Sequence, residues 1–119
     1  MSYIDNKDGT VTDISTELMW KQNPEEDIYT FEEALRLKSN FAGHENWRLP
    51  AIHELFSLVD VSKTDPAINS IFKCDTSLFW SASAFAQEPD YAWVVYFYGG
   101  AAYSVGKSSL CSVRLVRST

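Results

Sequence analysis

An Asn-Trp-Arg-Leu-Pro motif at residues 46–50 constrains the fold of this chain most, because it separates two stretches of different character. Apolar residues recur with helical spacing on both sides of the motif, whereas the chain after Cys74 is rich in aromatic and β-branched residues typical of strands. The residue before a proline avoids the α-helical region. We therefore expect Leu49 to be extended and a helix to begin at or after Pro50.

Two helices are predicted, one before the motif and one after it. The Thr-Phe-Glu-Glu sequence at residues 30–33 is a capping box, which predicts a helix to about residue 40. Its buried side comprises Phe31, Ala34 and Leu35, with Phe41 as a further candidate. The second helix carries an amphipathic apolar stripe of Ile52, Leu55, Phe56 and Val59. After Asp65-Pro66, a short helical turn is predicted, with Ile68, Ile71 and Phe72 as its anchors.

Strands are predicted at both ends of the chain. Residues 10–14 and 17–20 suit the two arms of a hairpin, and residues 78–83, 91–98, 101–105 and 112–117 favour strand. Gly99-Gly100 is the signal for a two-residue hairpin loop. In the strand 91–98, the face predicted to meet the core carries Tyr91, Trp93, Val95 and Phe97. This order of strands, helices and an antiparallel sheet indicates an α+β fold, in one domain spanning residues 1–119.

Charge and composition exclude several functional classes. A net charge of −6 disfavours binding to nucleic acids or acidic polysaccharides, and no apolar run approaches the ~20 residues that a membrane-spanning helix needs. The first eight residues lack a signal-peptide pattern, so either the protein is cytoplasmic or a leader has been removed. Cys74 and Cys111 are either two free structural thiols or one disulfide. No metal site or cofactor is predicted, because no histidine lies at ligand spacing from the cysteines.

Several segments, taken in order, resemble one family. They are residues 8–13 with 18–20, the motif 46–50 followed by Glu54-Leu55, and residues 66–69, 79–83, 91–93 and 113–117. Together they resemble the Lcl C-terminal domain-like family, which was long catalogued as a domain of unknown function and is named after a bacterial collagen-like adhesin. The resemblance covers nearly the whole chain.

The resemblance implies a fold and a class of function. The family is similar to C-type lectin-like domains and, more distantly, to formylglycine-generating enzymes, which implies two helices flanking a twisted antiparallel sheet with neighbouring termini. Its members resemble adhesins and surface-displayed ligand binders, and some related domains are variable proteins of diversity-generating retroelements. Family members often carry a cysteine in the first helix and another in the last strand, where this chain has Leu37 and Leu115. That paired loss fits a reducing compartment, so localisation stays open between the cell surface and the cytoplasm.

The sequence favours a binding module over an enzyme. His44 and His53 fit neither a metal pair nor a catalytic pair. Residues 87–90 (Gln-Glu-Pro-Asp) are interpreted as a polar turn rather than a calcium-lectin triplet. Trp47 is predicted to pack with its N–H bonded internally, Arg48 to pair with a carboxylate, and the other three tryptophans to lie in the core.

Late aromatic and hydroxyl residues are the candidates for ligand contact, because tyrosine and serine together are typical of recognition surfaces. They are Phe85, Tyr96, Tyr98, Tyr103, Ser104, Ser108 and Ser109. The expected function is calcium-independent, non-enzymatic recognition of a glycan or protein. The alternatives are an assembly domain that forms a homo-oligomer through the same aromatic face, and a variable retroelement protein.

Overall fold

A computed structural model describes residues 2–75 and 77–119 and shows an α+β fold with two antiparallel sheets and two small helices. The described elements are β1 (Tyr3–Asp5), β2 (Thr10–Asp13), β3 (Leu18–Lys21), α1 (Phe31–Leu35), α2 (Ile52–Phe56), β4 (Leu78–Ala84), β5 (Tyr91–Tyr96), β6 (Ala101–Gly106) and β7 (Val116–Ser118). The α+β class is confirmed, although two sheets replace the single sheet that was expected. No described helix is long and apolar enough to cross a membrane.

The first sheet has the order β1-β2-β3-β7 and joins the two ends of the chain. The predicted hairpin of β2 and β3 is confirmed, with Val11 opposite Trp20. The first and last strands lie at opposite edges of this sheet, with two strands between them. The last strand was predicted to begin at residue 112 but begins at Val116. Residues 112–115 connect the two sheets instead. Ser112 bonds to β4, and the Leu115 carbonyl accepts from the N–H of Lys21 in β3.

The second sheet has the order β4-β5-β6 and is covered on both faces. Val95 belongs to an apolar cluster shared with the first sheet and α2, whereas Val94 belongs to a second cluster shared with α1 and the 46–50 motif. The prediction that one face of β5 forms the core was therefore wrong: both faces are buried in the middle of the strand. Tyr91 is 37% exposed, and Trp93 is only partly buried, unlike the fully buried tryptophans at positions 20 and 80.

The hairpin of β5 and β6 has a longer connection than predicted. Tyr96 pairs with Ala101, so four residues, 97–100, form the loop instead of two. The strand ends early because its continuation bonds to another segment: the carbonyl of Phe97 accepts from Ala67 N, and that of Tyr98 accepts from Asp65 N. Residues 65–66 form a bend, with Asp65 at a φ of +51° and a cis Asp65-Pro66 peptide bond, so the helical turn does not begin at Pro66 as predicted. A turn lies later, where Phe72 N bonds to Asn69 O at 3.0 Å.

Both helices start where the sequence predicts but end early. The capping box of Thr30 and Glu33 is confirmed, yet α1 ends at Leu35 rather than near residue 40, and Leu35 is 44% exposed. Its last amides bond to carbonyls three residues back, the tighter pattern that ends many helices. The same tightening follows α2, where Leu58 N bonds to Leu55 O. It leaves Phe56 of the predicted stripe 42% exposed and buries Leu58 completely.

Candidate ligand-binding surface

The predicted contact residues separate into three places on the second sheet. Tyr96, Tyr98 and Tyr103 come together at the hairpin end of β5 and β6. Phe85 and Ser104 lie beside Trp93, on the other face of the sheet. Ser108 and Ser109 follow β6 in a turn, where Ser109 N bonds to Gly106 O at 2.9 Å. The seven residues therefore do not form one continuous site.

Tyr96, Tyr98 and Tyr103 form a cluster that we call the tyrosine surface. The rings of Tyr96 and Tyr98 are stacked, with centroids 6.0 Å apart and planes 24° apart, and the Tyr103 ring is tilted, 6.5 Å from that of Tyr96. Tyr98 is 52% exposed and Tyr103 is 50% exposed. The three rings therefore contact one another, and Tyr98 and Tyr103 remain about half exposed to a ligand.

The main chain beneath the tyrosine surface is held firmly. The carbonyl of Tyr98 accepts from the Thr64 hydroxyl at 2.7 Å and from Asp65 N at 2.8 Å. Gly100 has a φ of +80°, and a β-carbon there would lie 2.6 Å from Cγ1 of Val59. Only glycine fits this position without strain. The loop that presents the tyrosines is thus packed tightly against residues 59–67.

A second aromatic pair lies on the opposite face of the sheet. Phe85 meets Trp93 edge to face, with centroids 5.1 Å apart, and Trp93 lies opposite Ser104 in the ladder. The Trp93 carbonyl also accepts from the Ser81 hydroxyl at 2.8 Å. These contacts link β4, β5 and β6, so Phe85 and Trp93 pack within the sheet rather than forming part of the tyrosine surface.

An acidic cavity near residues 22–27 was not predicted from the sequence. The cavity has a volume of about 410 Å³, and its lining includes Glu25, Asp27, Tyr29 and Phe41. Burial, followed by the nearby carboxylates, raises the pKa of Tyr29. Lys21 is itself buried and already engaged, with its Nζ 3.0 Å from Glu25 and 4.8 Å from the Phe41 ring centre. The run of three acidic residues at 25–27 was the available signal.

The 46–50 motif is structural, as predicted. Trp47 is 3% exposed, and its indole N–H donates to the carbonyl of His44 at 3.2 Å. Arg48 binds Glu54 through two hydrogen bonds of 2.7 and 2.8 Å, and Glu54 also accepts from Ala51 N. The Arg48 hydrogen bond is the main reason that the pKa of Glu54 is lowered. This pair joins the motif to the first turn of α2.

Both cysteines are free thiols in the structure. Burial raises the pKa of Cys111 to about 11 and also raises that of Cys74, so both thiols are protonated at neutral pH. Within residues 2–75 and 77–119, no group of three or more His, Cys, Asp or Glu side chains could hold a metal ion.

The model of the Lcl C-terminal domain family matches residues 9–117. The chain belongs to this family. Leu37 and Leu115, which stand where the family resemblance places cysteines, lie in the same apolar cluster around Trp80, with Leu115 fully buried and Leu37 partly buried. No curated protein matches the chain by sequence.

Proposed function

We propose that this chain is a non-enzymatic ligand-binding module that recognises a glycan or a protein through the tyrosine surface, without calcium. The observation that carries the proposal is a cluster of three tyrosines in which Tyr98 and Tyr103 are about half exposed and Tyr98 stacks on Tyr96. Tyr98 lies in a loop whose main chain is bonded to residues 64–67. Such an arrangement combines apolar area with hydroxyl groups that donate and accept hydrogen bonds.

The order of the tyrosine surface favours binding. Association costs free energy when side chains must be immobilised, by about 0.5–1.5 kcal/mol for each mobile side chain. The stacking of Tyr96 on Tyr98 and the tilted contact with Tyr103 restrict these rings before a ligand arrives. The apolar face of a sugar ring, or an apolar side chain of a protein, would then lie against them at a small ordering cost.

The surface is better suited to an uncharged ligand than to an anionic one. Strands β5 and β6 carry no charged residue, and the whole chain has a net charge of −6. An acidic polysaccharide would meet repulsion from the protein, and neither strand carries a lysine or arginine to offset it. We therefore expect neutral glycans to bind in preference to sulfated or uronic-acid glycans.

A C-type lectin-like architecture is part of the proposal. The support is the family membership together with the order of elements, in which two helices precede the second sheet and the two ends of the chain share the first sheet. In such a module, the loops after the helices would present the ligand surface. Residues 87–90 form the turns between β4 and β5, with Tyr91 N bonded to Glu88 O at 3.0 Å, which supports the polar-turn interpretation over a calcium triplet.

A glycan array tests the proposal. The purified chain would be applied with and without a chelator, beside a Tyr98→Ala/Tyr103→Ala double variant. Tyr91→Ala is the matched control, because Tyr91 is also an exposed tyrosine of the sheet but lies at the other end of β5. The proposal predicts binding that survives the chelator and the control substitution and is lost in the double variant. Glycan binding that the chelator abolishes, or that the double variant retains, would contradict it.

If no glycan binds, the protein branch of the proposal is tested instead. A cross-linkable amino acid placed at position 103 should then capture a protein from the native source, and the same group at position 91 should not. Equal capture at both positions, or none at either, would reject the tyrosine surface as a recognition site.

A further inference from the structure

Strand β6 is the outer strand of the second sheet and has an open edge. It pairs only with β5, and within residues 2–75 and 77–119 no other strand lies beside it. Tyr103 is exposed, and the other five residues of β6 are partly buried. Alternate residues of an edge strand direct their N–H and C=O groups away from the sheet. β6 therefore offers a row of main-chain donors and acceptors to another strand.

The other sheet edges are protected, whereas β6 is not. β1 and β7 are three residues long, and β7 is also covered by Arg48, whose N–H bonds to Val116 O at 2.8 Å. The outer side of β4 is covered by Ser112, whose N–H bonds to Leu78 O at 2.9 Å. β6 is six residues long, pairs with β5 in unbroken register and contains neither a proline nor a charge. Proteins usually block such an edge with short strands, bulges, prolines or charges.

We propose that β6 pairs with β6 of a second copy of this chain, antiparallel across a two-fold axis. Antiparallel self-pairing is isologous, so one uncharged strand supplies both halves of the interface. The uncharged edge also avoids repulsion at the contact between two chains that each carry −6. The result would be a six-stranded sheet with the order β4-β5-β6-β6-β5-β4.

Charges just beyond β6 complement each other in this arrangement. Lys107 follows the strand at one end, whereas Asp65 contacts the loop at the other end through its bond to the Tyr98 carbonyl. Antiparallel pairing brings the end of each β6 beside the start of the other. The end of each β6 that carries Lys107, whose Nζ lies 5.2 Å from the Phe31 ring centre of its own chain, would then lie beside the loop to which Asp65 of the other copy is bonded, which favours this orientation.

The paired sheet would place both tyrosine surfaces on one face. A two-fold axis perpendicular to a sheet keeps each face on its own side, so Tyr96 and Tyr103 of both copies would point the same way. Six paired residues span only ~20 Å, so the interface would be small and the dimer weak. Self-association does not depend on any ligand, and it is measured on the chain alone.

Sedimentation velocity tests the inference over protein concentrations from about 10 µM to about 1 mM, a range suited to a weak dimer. We expect the mass to rise from 13.5 kDa towards twice that value. Ser104→Lys should weaken the association by at least about tenfold, because two lysines would meet at the centre of the paired edges. Ser108→Lys is the matched control: it makes the same change in the turn beyond β6, and its association should be unchanged.

Amide hydrogen exchange keeps the inference testable if Ser104→Lys fails to fold. In the unaltered chain, the outward-facing amides of residues 102–105 should become more protected as the protein concentration rises. If the chain stays monomeric at a protein concentration of about 1 mM, the inference is overturned. A dimer that Ser104→Lys leaves intact, or whose protection changes map to another surface, would overturn it as well.

Discussion

Replacing Arg114 by methionine should destabilise the fold more than replacing an arginine at the surface would. Arg114 is fully buried, yet its guanidinium forms no ion pair with a carboxylate in the part of the chain that the structure describes, residues 2–75 and 77–119. It donates instead to three main-chain carbonyls: those of Lys21 and Gln22 at the end of β3 and that of Lys73 before β4. Its guanidinium also lies 5.2 Å from the ring centre of Phe72. The residue thus holds three separate segments together.

The magnitude follows from two opposing effects. Arg114→Met removes a donor from three carbonyls, of which that of Gln22 keeps the N–H of Lys73 at 3.0 Å. The carbonyls of Lys21 and Lys73 then carry most of the loss, at about 1–3 kcal/mol for each that water cannot reach. Against this, burial lowers the pKa of Arg114 to about 10, because the water-poor surroundings disfavour the cation, and removing the charge removes that cost. Methionine preserves most of the apolar volume. We therefore expect a net loss of roughly 3 kcal/mol, a large part of the 5–15 kcal/mol that stabilises a typical domain.

Urea unfolding followed by tryptophan fluorescence measures this loss, since the chain has 4 tryptophans. Arg36→Met is the matched control, because Arg36 is exposed at the end of α1, and its effect should stay within about 0.5 kcal/mol. An Arg114→Met variant as stable as the parent, or more stable, would show that desolvation of the cation outweighs its three hydrogen bonds. That result would refute the reasoning.

Two further predictions concern the 46–50 motif and the loop beneath the tyrosine surface. Glu54→Gln should cost about 0.5–1 kcal/mol at pH 7, since Arg48 is 43% exposed and water weakens the pair. Because Arg48 lowers the pKa of Glu54 in the folded protein, the pair stabilises the fold fully above the pKa of about 4.3 that the carboxyl has in the unfolded chain. This stabilisation is lost as the pH falls through the lower pKa of the folded protein. Urea unfolding from pH 7 downwards should show the two proteins converging, and a constant gap would contradict the pairing. Gly100→Ala should lower the free energy of unfolding by roughly 1–3 kcal/mol, because Gly100 has a positive φ and a β-carbon there would approach Val59 too closely. At Gly99 a β-carbon would meet nothing within 4 Å, so Gly99→Ala should cost much less in the same assay. Equal losses for the two glycines would show that the loop is not tightly packed.

Features governed by neighbours in sequence could be predicted correctly. The capping box at Thr30 and Glu33 depends on residues three apart, and the start of α2 depends on Pro50. The hairpin of β2 and β3 follows from two alternating runs close together in the chain. Each of these involves short-range geometry, which the residue pattern encodes directly.

Features governed by distant segments could not be predicted. β5 is buried on both faces because two layers cover it, and an alternating pattern along one strand does not reveal the second layer. The β5–β6 loop is lengthened because Ala67 and Asp65 bond to its first carbonyls. Similarly, the complete burial of Arg114 does not follow from its own stretch of sequence, because its three carbonyl partners lie at least 41 positions away.

The candidate site shows the same division. Alternation along residues 91–98 predicts that Tyr96 and Tyr98 share a face, and their rings do stack, although Tyr98 lies in the loop after β5. Bringing Tyr103 to them requires the register of β6, in which Tyr103 lies opposite Val94. The same register puts Ser104 on the other face of the sheet, beside Trp93. The residue types alone could not show that the predicted contact residues lie on two different faces.

The tyrosine surface is tested most directly by nuclear magnetic resonance. Amide spectra of the ¹⁵N-labelled chain would be recorded with a panel of neutral and acidic oligosaccharides, with chelator present throughout. The account predicts that at least one neutral glycan shifts the amides of residues 96–103, and that Tyr98→Ala/Tyr103→Ala removes those shifts. Shifts confined to the acidic cavity around Tyr29, or shifts that the double variant retains, would contradict the claim that this surface binds the ligand.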